Sequence, residues 1–236
     1  MKPILIFRHW TSEGPGYLAD FLNRHSLPWR LIAIDAGEPV PDTLADASAL
    51  VFMGGPMSVN DALDWIAQEV ALIQAAQAVG MPVLGHCLGG QLIAKAMGGV
   101  VTRNSMREIG WLPVIQADNT VALDWLSGLP STFDAFHWHG ETFSLPVEAS
   151  LILSSRHCLH QGFVMGNTLA LQCHVEMTED LVQAWATDNS PEIATPSETV
   201  QSAVTMMANL SSRIEGLRYA ADRLYKRWLR PLIGEI

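Results

Sequence analysis

The sequence predicts an α/β protein with an open, mostly parallel sheet covered by helices on both faces. Short runs rich in Ile, Leu and Val alternate with longer segments of helical period, and such continuous apolar runs are typical of strands buried on both faces. Apolar residues make up 49% of the 236 residues and charged residues 16%, which suits a single well-filled core. We therefore expect one α/β unit.

Four apolar runs in the first half of the chain predict parallel strands. They cover residues 4–7, 31–34, 49–53 and 82–85. The intervening segments predict helices over residues 16–24, 64–79 and 88–97, and the last two have apolar residues three and four positions apart. This alternation is the pattern of βαβ units.

The pattern changes after Gly110. Closely spaced β-like runs at residues 111–116, 132–137, 151–153, 161–165 and 168–173 predict added strands and hairpins. Helical period returns from Thr178, and Pro191 and Pro196 mark a loop before a long helical segment over residues 198–230, which Gly216 would divide into two helices.

The two parts of the chain are expected to fold together. Residues 1–190 would form the main domain, and residues 191–236 a helical extension packed on it. Two interpretations of the extension remain open, namely a cover for the sheet or the surface of a homodimer.

Charge and cysteine content narrow the classes of partner. A net charge of −10 argues against a nucleic-acid or anionic-membrane surface, because both need clustered Lys and Arg. No apolar run is long enough to span a membrane. Three cysteines are a sparse, odd set that fits a reducing cytoplasm. We expect a cytoplasmic protein with a small-molecule substrate.

The strongest local signal surrounds Cys87. An apolar strand, the pattern Gly-x-Cys-x-Gly over residues 85–89 and a helical segment follow one another, as in a nucleophile elbow. The helix beginning near Leu88 would direct its free N–H groups at the sulfur and stabilise a thiolate. The alternatives are a small buried cysteine in a Gly-rich turn and an α/β-hydrolase elbow. The choice among them depends on whether the chain also supplies a base and a carboxylate for Cys87.

His174 and Glu176 are candidates for those partners. They directly follow the predicted strand over residues 168–173, and on an extended chain residues two apart lie on the same side. A nucleophilic cysteine needs a base, and the base needs a carboxylate to orient it. The chain order Cys, His, Glu disfavours an α/β-hydrolase, whose order is nucleophile, acid, His.

These motifs resemble those of class I glutamine amidotransferases, and the resemblance covers residues 49–176. The family's Gly-x-Cys-x-Gly-x-Gln elbow is matched by residues 85–91, and its Gln-x-His-Pro-Glu motif by residues 172–176, with Val175 in place of Pro. Segments at 108–111 and 136–146 are similar to the stand-alone, GMP-synthase-like branch, in which no ATP-pyrophosphatase domain follows. The resemblance implies a flavodoxin-like fold and a Cys87, His174, Glu176 triad.

The resemblance also implies an oxyanion hole and substrate contacts. Gly55, in a Gly-Gly-Pro loop, would supply one oxyanion N–H and Leu88 the other. Gln91 would help to hold glutamine, although a place on the helix surface is an equal alternative. Glu141 would contact the substrate's α-amino group. The full set of expected substrate contacts is Gly54, Gln91, His139, Gly140, Glu141 and Thr142.

The histidines at 137 and 139 raise the question of a metal. Alternating histidines on a strand, without a carboxylate or third ligand at metal spacing, are weak support for zinc. We expect no metal and no cofactor.

Three hypotheses for function follow. The chain is a cysteine hydrolase that cleaves the amide of glutamine and passes ammonia to a separate synthase subunit. Alternatively, it hydrolyses a γ-glutamyl peptide or conjugate without any partner. A third hypothesis from another class is a catalytically silent binding or regulatory protein of the same fold.

Overall fold

The structure of the protein is a computed structural model that describes residues 1–234. Within that range one sheet contains nine strands. They are β1 (Ile4–Arg8), β2 (Trp29–Ala33), β3 (Ala49–Phe52), β4 (Val83–His86), β5 (Val101–Gln116), β6 (Thr132–Phe143), β7 (Ser150–Ser154), β8 (Gly162–Met165) and β9 (Thr168–Leu171).

Seven α-helices accompany the sheet in the described part of the chain. They are α1 (Tyr17–Arg24), α2 (Asp64–Ala78), α3 (Leu88–Ala96), α4 (Thr120–Trp125), α5 (Glu179–Asp188), α6 (Ala203–Met207) and α7 (Leu210–Ile233). Two short 3-10 turns lie at Ile34–Ala36 and Ser190–Ile193.

The strand order is β2-β1-β3-β4-β9-β8-β7-β5-β6. Strands from β2 to β9 pair in parallel, and the pairs from β9 to β6 are antiparallel. The predicted α/β class is confirmed. The added hairpins extend the same sheet and make it mixed.

Two apolar cores lie on opposite faces of this sheet. One packs α2 and α3 against alternate residues of β1 and β3, such as Leu5 and Leu50. The other packs α1, α5 and α7 against the residues between them, such as Ile4 and Ala49. This division follows from the period of two along each buried strand.

The C-terminal helix differs from the prediction in where it is broken. The break separates α6 from α7 at residues 208–209, where Asn209 has φ +54°, and Gly216 lies inside an unbroken α7. A glycine costs a helix about 1 kcal/mol relative to alanine, which the burial of Tyr225 and Trp228 on the same helix offsets. The buried face of α7 covers this chain's own sheet.

Strand β5 begins at Val101, well before the predicted start at Trp111. Residues 102–107 are largely exposed and polar, so they lack the apolar alternation that identifies a strand. The register with β6 shifts between Arg103 and Glu108, and this irregular segment borders the cavity described below.

Candidate active site

Cys87 lies in a strained turn between β4 and α3. Its φ is +50° and its ψ is −106°, a conformation that residues with a side chain rarely adopt, and it directly precedes the first helical residue, Leu88. Its backbone N–H donates to the carbonyl of Leu171 on β9 over 2.8 Å. The predicted strand, elbow and helix are therefore present.

The glycines of the turn are required by close backbone contacts. A Cβ on Gly85 would lie 2.4 Å from the carbonyl oxygen of Gly89, and a Cβ on Gly89 would lie 1.9 Å from the carbonyl oxygen of Phe52. A Cβ on Gly90 would lie 2.4 Å from the carbonyl oxygen of Leu171. Only glycine fits at these positions, because backbone atoms cannot move aside as a side chain can.

His174 and Glu176 are hydrogen-bonded to each other next to this turn. Nδ1 of His174 lies 2.6 Å from Oε1 of Glu176, and both side chains are buried. The other ring nitrogen, Nε2, has no hydrogen-bond partner within residues 1–234 and remains available to Cys87. The Trp185 ring packs edge-on against the His174 ring, with the ring centres 4.8 Å apart.

The charges of this group reinforce one another. Burial by itself would lower the pKa of His174, but Glu176 and Cys87 outweigh it and raise that pKa well above its usual value. Burial by itself would raise the pKa of Glu176, but interactions with His86 and His174 lower that pKa to about 2. The arrangement therefore favours an imidazolium between a carboxylate and the Cys87 sulfur.

His86 is a member of the site that the sequence did not reveal. Its Nδ1 lies 3.0 Å from Oε2 of Glu176, and its Nε2 is 3.4 Å from the hydroxyl of Tyr225 on α7. Burial lowers the pKa of His86, and the nearby Glu176 carboxylate opposes that shift. The sequence could not reveal this role, because the contact joins residues far apart in the chain.

Two glutamines connect α3 to the sulfur. Nε2 of Gln172 lies 3.5 Å from Sγ of Cys87, and Nε2 of Gln91 donates to Oε1 of Gln172 over 3.2 Å. Both glutamines are buried, so the alternative of Gln91 on the helix surface is wrong. Gln172 matched a motif in the sequence but had no predicted contact with Cys87.

The residues predicted to form an oxyanion hole are neighbours. A Cβ on Gly55 would lie 2.8 Å from a side-chain carbon of Leu88, and Gly55 borders the same cavity as Cys87. Leu88 is the first residue of α3, whose free N–H groups lie at its N-terminal end. Both backbone donors therefore belong to segments beside the sulfur.

A cavity of about 570 Å³ opens beside Cys87, a size typical of small-molecule sites. Four of the residues predicted to contact substrate line it, namely Gln91, His139, Gly140 and Glu141. An ion pair between Arg107 of β5 and Glu192 of the second 3-10 turn stands at its border.

The remaining predicted contacts are placed differently. Thr142 does not line the cavity, and its hydroxyl lies 3.2 Å from the sulfur of Cys158. Gly54 is not among the residues that line the cavity, and a Cβ on it would lie 2.1 Å from a carboxylate oxygen of Glu13. Glu141 accepts a hydrogen bond from the Ser58 hydroxyl over 3.1 Å.

Glu13 is a second group that the sequence did not indicate. Its side chain lines the cavity and, with His174, lies over the same face of Gly54. Burial raises the pKa of Glu13 to about 7, with opposing interactions from His174. A carboxyl group whose pKa is raised toward neutral pH therefore lines the same cavity as Cys87.

The histidines at 137 and 139 do have a carboxylate neighbour, contrary to the prediction. One atom from each of Glu108, His137 and His139 falls within a 4.8 Å cluster of buried groups. The amide nitrogen of Gln161 donates to Oε2 of Glu108 over 2.7 Å and lies 3.2 Å from Nε2 of His139. The Ser155 hydroxyl donates to the other carboxylate oxygen over 2.7 Å. These contacts form a hydrogen-bonded network that supports β6.

Comparison with known proteins agrees with this geometry. The family model described as glutamine amidotransferase class-I matches residues 26–184. The chain is 30% identical to the glutamine amidotransferase-like protein YfeJ of Salmonella typhimurium, over 79% of this chain and 80% of that protein. It is 32% identical to a subunit of the glutamine-hydrolysing GMP synthase of Sulfurisphaera tokodaii, over 62% of this chain and 76% of that protein.

A solved structure extends the similarity to the whole chain. The crystal structure of a glutamine amidotransferase from Methylobacillus flagellatus superposes with a TM-score of 0.95 at 40% identity, covering 100% of this chain and 97% of that one. Among the helices described, none combines the length and apolar character needed to cross a membrane.

Proposed function

The chain belongs to the class I glutamine amidotransferase family, and we propose that it hydrolyses the side-chain amide of glutamine or a related γ-glutamyl amide. Cys87 is the nucleophile, His174 the acid and base, and Glu176 the group that orients His174. The observation that carries the proposal is the 2.6 Å contact of His174 with Glu176, which leaves Nε2 of His174 free beside the sulfur.

In the first half of the proposed reaction, the Cys87 thiolate forms a bond to the amide carbon. The carbonyl electron pair moves to oxygen, and the N–H groups of Gly55 and Leu88 stabilise the oxyanion. When the carbonyl reforms, the C–N bond breaks and Nε2–H of His174 gives its proton to the departing amine. A γ-glutamyl thioester remains on Cys87.

The second half returns the enzyme to its starting state. Nε2 of His174 takes a proton from a water molecule, whose oxygen forms a bond to the thioester carbon. The C–S bond then breaks, so that Cys87 leaves as a thiolate and the product leaves as a carboxylic acid. No oxidant or cofactor takes part in these steps.

Substitution of Cys87 by alanine tests the proposal directly. We expect hydrolysis of glutamine and of γ-glutamyl p-nitroanilide to fall by at least about 10³-fold, because the covalent route is removed. The variant should melt like the wild type, since the substitution removes one sulfur next to a cavity. Wild-type rates in Cys87→Ala would overturn the assignment.

The same assays distinguish two possible leaving amines, ammonia from glutamine and a larger amine from a γ-glutamyl peptide or conjugate. The similarity to one subunit of a GMP synthase favours free glutamine, with ammonia passed to a separate synthase chain. An ammonia-donating protein of this kind is expected to be slow by itself and to be accelerated by its partner. Fast turnover of larger γ-glutamyl amides by the purified chain would instead favour a hydrolase that needs no partner, for which the cavity of about 570 Å³ has room.

A catalytically silent binding protein is the remaining alternative. It would bind a glutamine analogue without forming an adduct, whereas the proposed enzyme would be alkylated at Cys87 by a diazoketone analogue of glutamine. We further propose that residues 191–234 fold with residues 1–190 as one unit, since α7 buries Tyr225 and Trp228 against the sheet. The last two residues of the predicted extension, 235 and 236, lie outside the described residues. The three free cysteines support a cytoplasmic location.

A further inference from the structure

A second buried imidazole–carboxylate pair lies behind the Gly54–Gly55 loop. His9 follows β1, and Glu69 lies on α2; both side chains are completely buried. Nε2 of His9 lies 3.1 Å from Oε1 and 3.0 Å from Oε2 of Glu69. The His9 ring also stacks on Trp65, one helical turn before Glu69, with the ring centres 4.9 Å apart. These contacts hold the ring from two sides.

The other ring nitrogen of His9 contacts the backbone that leads into the loop. Nδ1 of His9 lies 3.0 Å from the carbonyl oxygen of Met53, the residue before Gly54. A Cβ on Gly55 would lie only 3.1 Å from the Cβ of His9, so the imidazole side chain also packs directly against the loop. His9 therefore contacts the chain on both sides of the first loop peptide.

The direction of the hydrogen bond to Met53 is fixed in every charge state of the pair. A backbone carbonyl can only accept, so the proton must be on Nδ1 of His9. A second proton lies between Nε2 and Glu69, on whichever of the two groups binds it. Burial by itself would lower the pKa of His9, but Glu69 and the backbone of Met53 and Gly54 together raise it, while burial raises the pKa of Glu69.

Stability alone does not explain this pair. Two ionisable groups that are removed from water contribute little net stability, and apolar side chains of the same volume would often do as well. What the pair does supply is a donor of fixed direction at one carbonyl. A donor of fixed direction is needed where the peptide that carries the carbonyl must keep one orientation.

We propose that His9 and Glu69 are positioning residues that orient the Met53–Gly54–Gly55 backbone so that the N–H of Gly55 serves as an oxyanion donor. The inference rests on the proposed function, because only a reaction with a tetrahedral oxyanion uses that donor. Neither residue touches the substrate. Their effect reaches the reaction through the Met53 carbonyl and through the contact of His9 with Gly55.

The test compares two reactions of Cys87. Hydrolysis of γ-glutamyl p-nitroanilide forms an oxyanion, whereas alkylation of the sulfur by iodoacetamide does not. For His9→Leu and Glu69→Leu we expect kcat to fall about 10-fold to 100-fold, as for loss of one oxyanion donor, with KM changed by less than about 3-fold. The alkylation rate of Cys87 should stay within about 2-fold of the wild type.

Conservative variants guard against a simple folding defect. Glu69→Gln can donate its amide N–H to Nε2 of His9, which keeps the proton on Nδ1, so kcat should recover to within about 3-fold of the wild type. His9→Asn can place an amide N–H near the Met53 carbonyl and should lie between His9→Leu and the wild type. Gln77→Ala, on the same helix α2 but bonded to Thr168, is the matched control and should keep wild-type kcat.

The variants separate the positioning role of His9 and Glu69 from the proposed function. An unchanged kcat in His9→Leu, or a fall in alkylation that parallels the fall in kcat, would overturn the positioning role. Failure of Glu69→Gln to recover kcat would also count against it. Wild-type hydrolysis by Cys87→Ala would instead refute the proposed function itself, whatever the His9 variants do.

Discussion

His86 and His174 contact opposite oxygens of one carboxylate, that of Glu176. Nδ1 of His86 lies 3.0 Å from Oε2, and Nδ1 of His174 lies 2.6 Å from Oε1. Because His86 immediately precedes Cys87 in the chain, Glu176 links the segment that carries His174 to the segment that carries the sulfur. Each of the two oxygens of Glu176 therefore has a histidine nitrogen next to it.

Replacing His86 tests that arrangement. In His86→Leu, the imidazole that lies 3.0 Å from Oε2 of Glu176 is lost, so the buried carboxylate keeps only one of its two histidine neighbours, and we expect kcat/KM to fall by roughly 10-fold to 100-fold. His86→Asn should retain part of the activity, because its polar amide can lie near Oε2 of Glu176 in place of the imidazole. His157→Ala, a partly exposed histidine next to Glu198, is the control and should behave as wild type. Equal activity of His86→Leu and the control would contradict the role of His86.

The three cysteines should differ sharply toward iodoacetamide at neutral pH. Burial raises the pKa of Cys173 strongly and also raises that of Cys158, so both remain thiols. Cys87 borders the cavity and is next to His174. Intact-protein mass spectrometry should show one fast addition, which peptide mapping places on Cys87 and which Cys87→Ala lacks. Labelling of Cys158 at a similar rate would argue against an activated Cys87.

Glu13 should make stability depend on pH. Its carboxyl has a pKa of about 7 when folded and a usual value of 4.5, so the unfolded state releases its proton first. Stability contributed by the protonated form is therefore lost as pH rises from about 4.5 through about 7. Glu13→Gln lacks this loss and should be more stable than wild type at pH 8, by on the order of 3 kcal/mol, but close to wild type near pH 4.5.

Urea unfolding at the two pH values provides the measurement for Glu13. The exposed Glu148→Gln substitution removes the same charge at a distance from the cavity and should change neither value. A Glu13→Gln variant that loses stability at pH 8 would show that the carboxylate is stabilised in the folded protein, contrary to the expectation.

Two glycine-to-alanine substitutions should change the free energy of unfolding in opposite directions. In Gly89→Ala the new Cβ would meet the carbonyl oxygen of Phe52 at 1.9 Å, which should cost at least about 3 kcal/mol or prevent folding. In Gly216→Ala the new Cβ meets nothing within 4 Å, and helix propensity predicts a gain of about 0.5–1 kcal/mol. Thermal unfolding of both variants against wild type is the measurement, and a neutral Gly89→Ala would contradict the structure.

The features that were predicted from sequence are those encoded locally. The elbow follows from glycines within two residues of Cys87, and the His174 to Glu176 contact follows from a spacing of two. His86 with Glu176, Gln172 with Cys87 and Glu13 beside Gly54 are contacts over tens of residues, and a single sequence carries no signal for them. Glu108 lies between these two groups in how far it could be predicted, because the β5–β6 register places it opposite His139. Recognising residues 101–110 as strand would have revealed that carboxylate.

Strand β4, which leads to Cys87, pairs with β9, which leads to His174, although the whole antiparallel half of the sheet lies between them in the chain. During synthesis at about 5–20 residues per second, the thiol emerges roughly 4–17 s before its base does. Closing such a long segment is also entropically slow, because many residues must be ordered before the pair forms. A nascent chain therefore carries Cys87 without His174, and the proposed hydrolysis cannot begin until the sheet is complete.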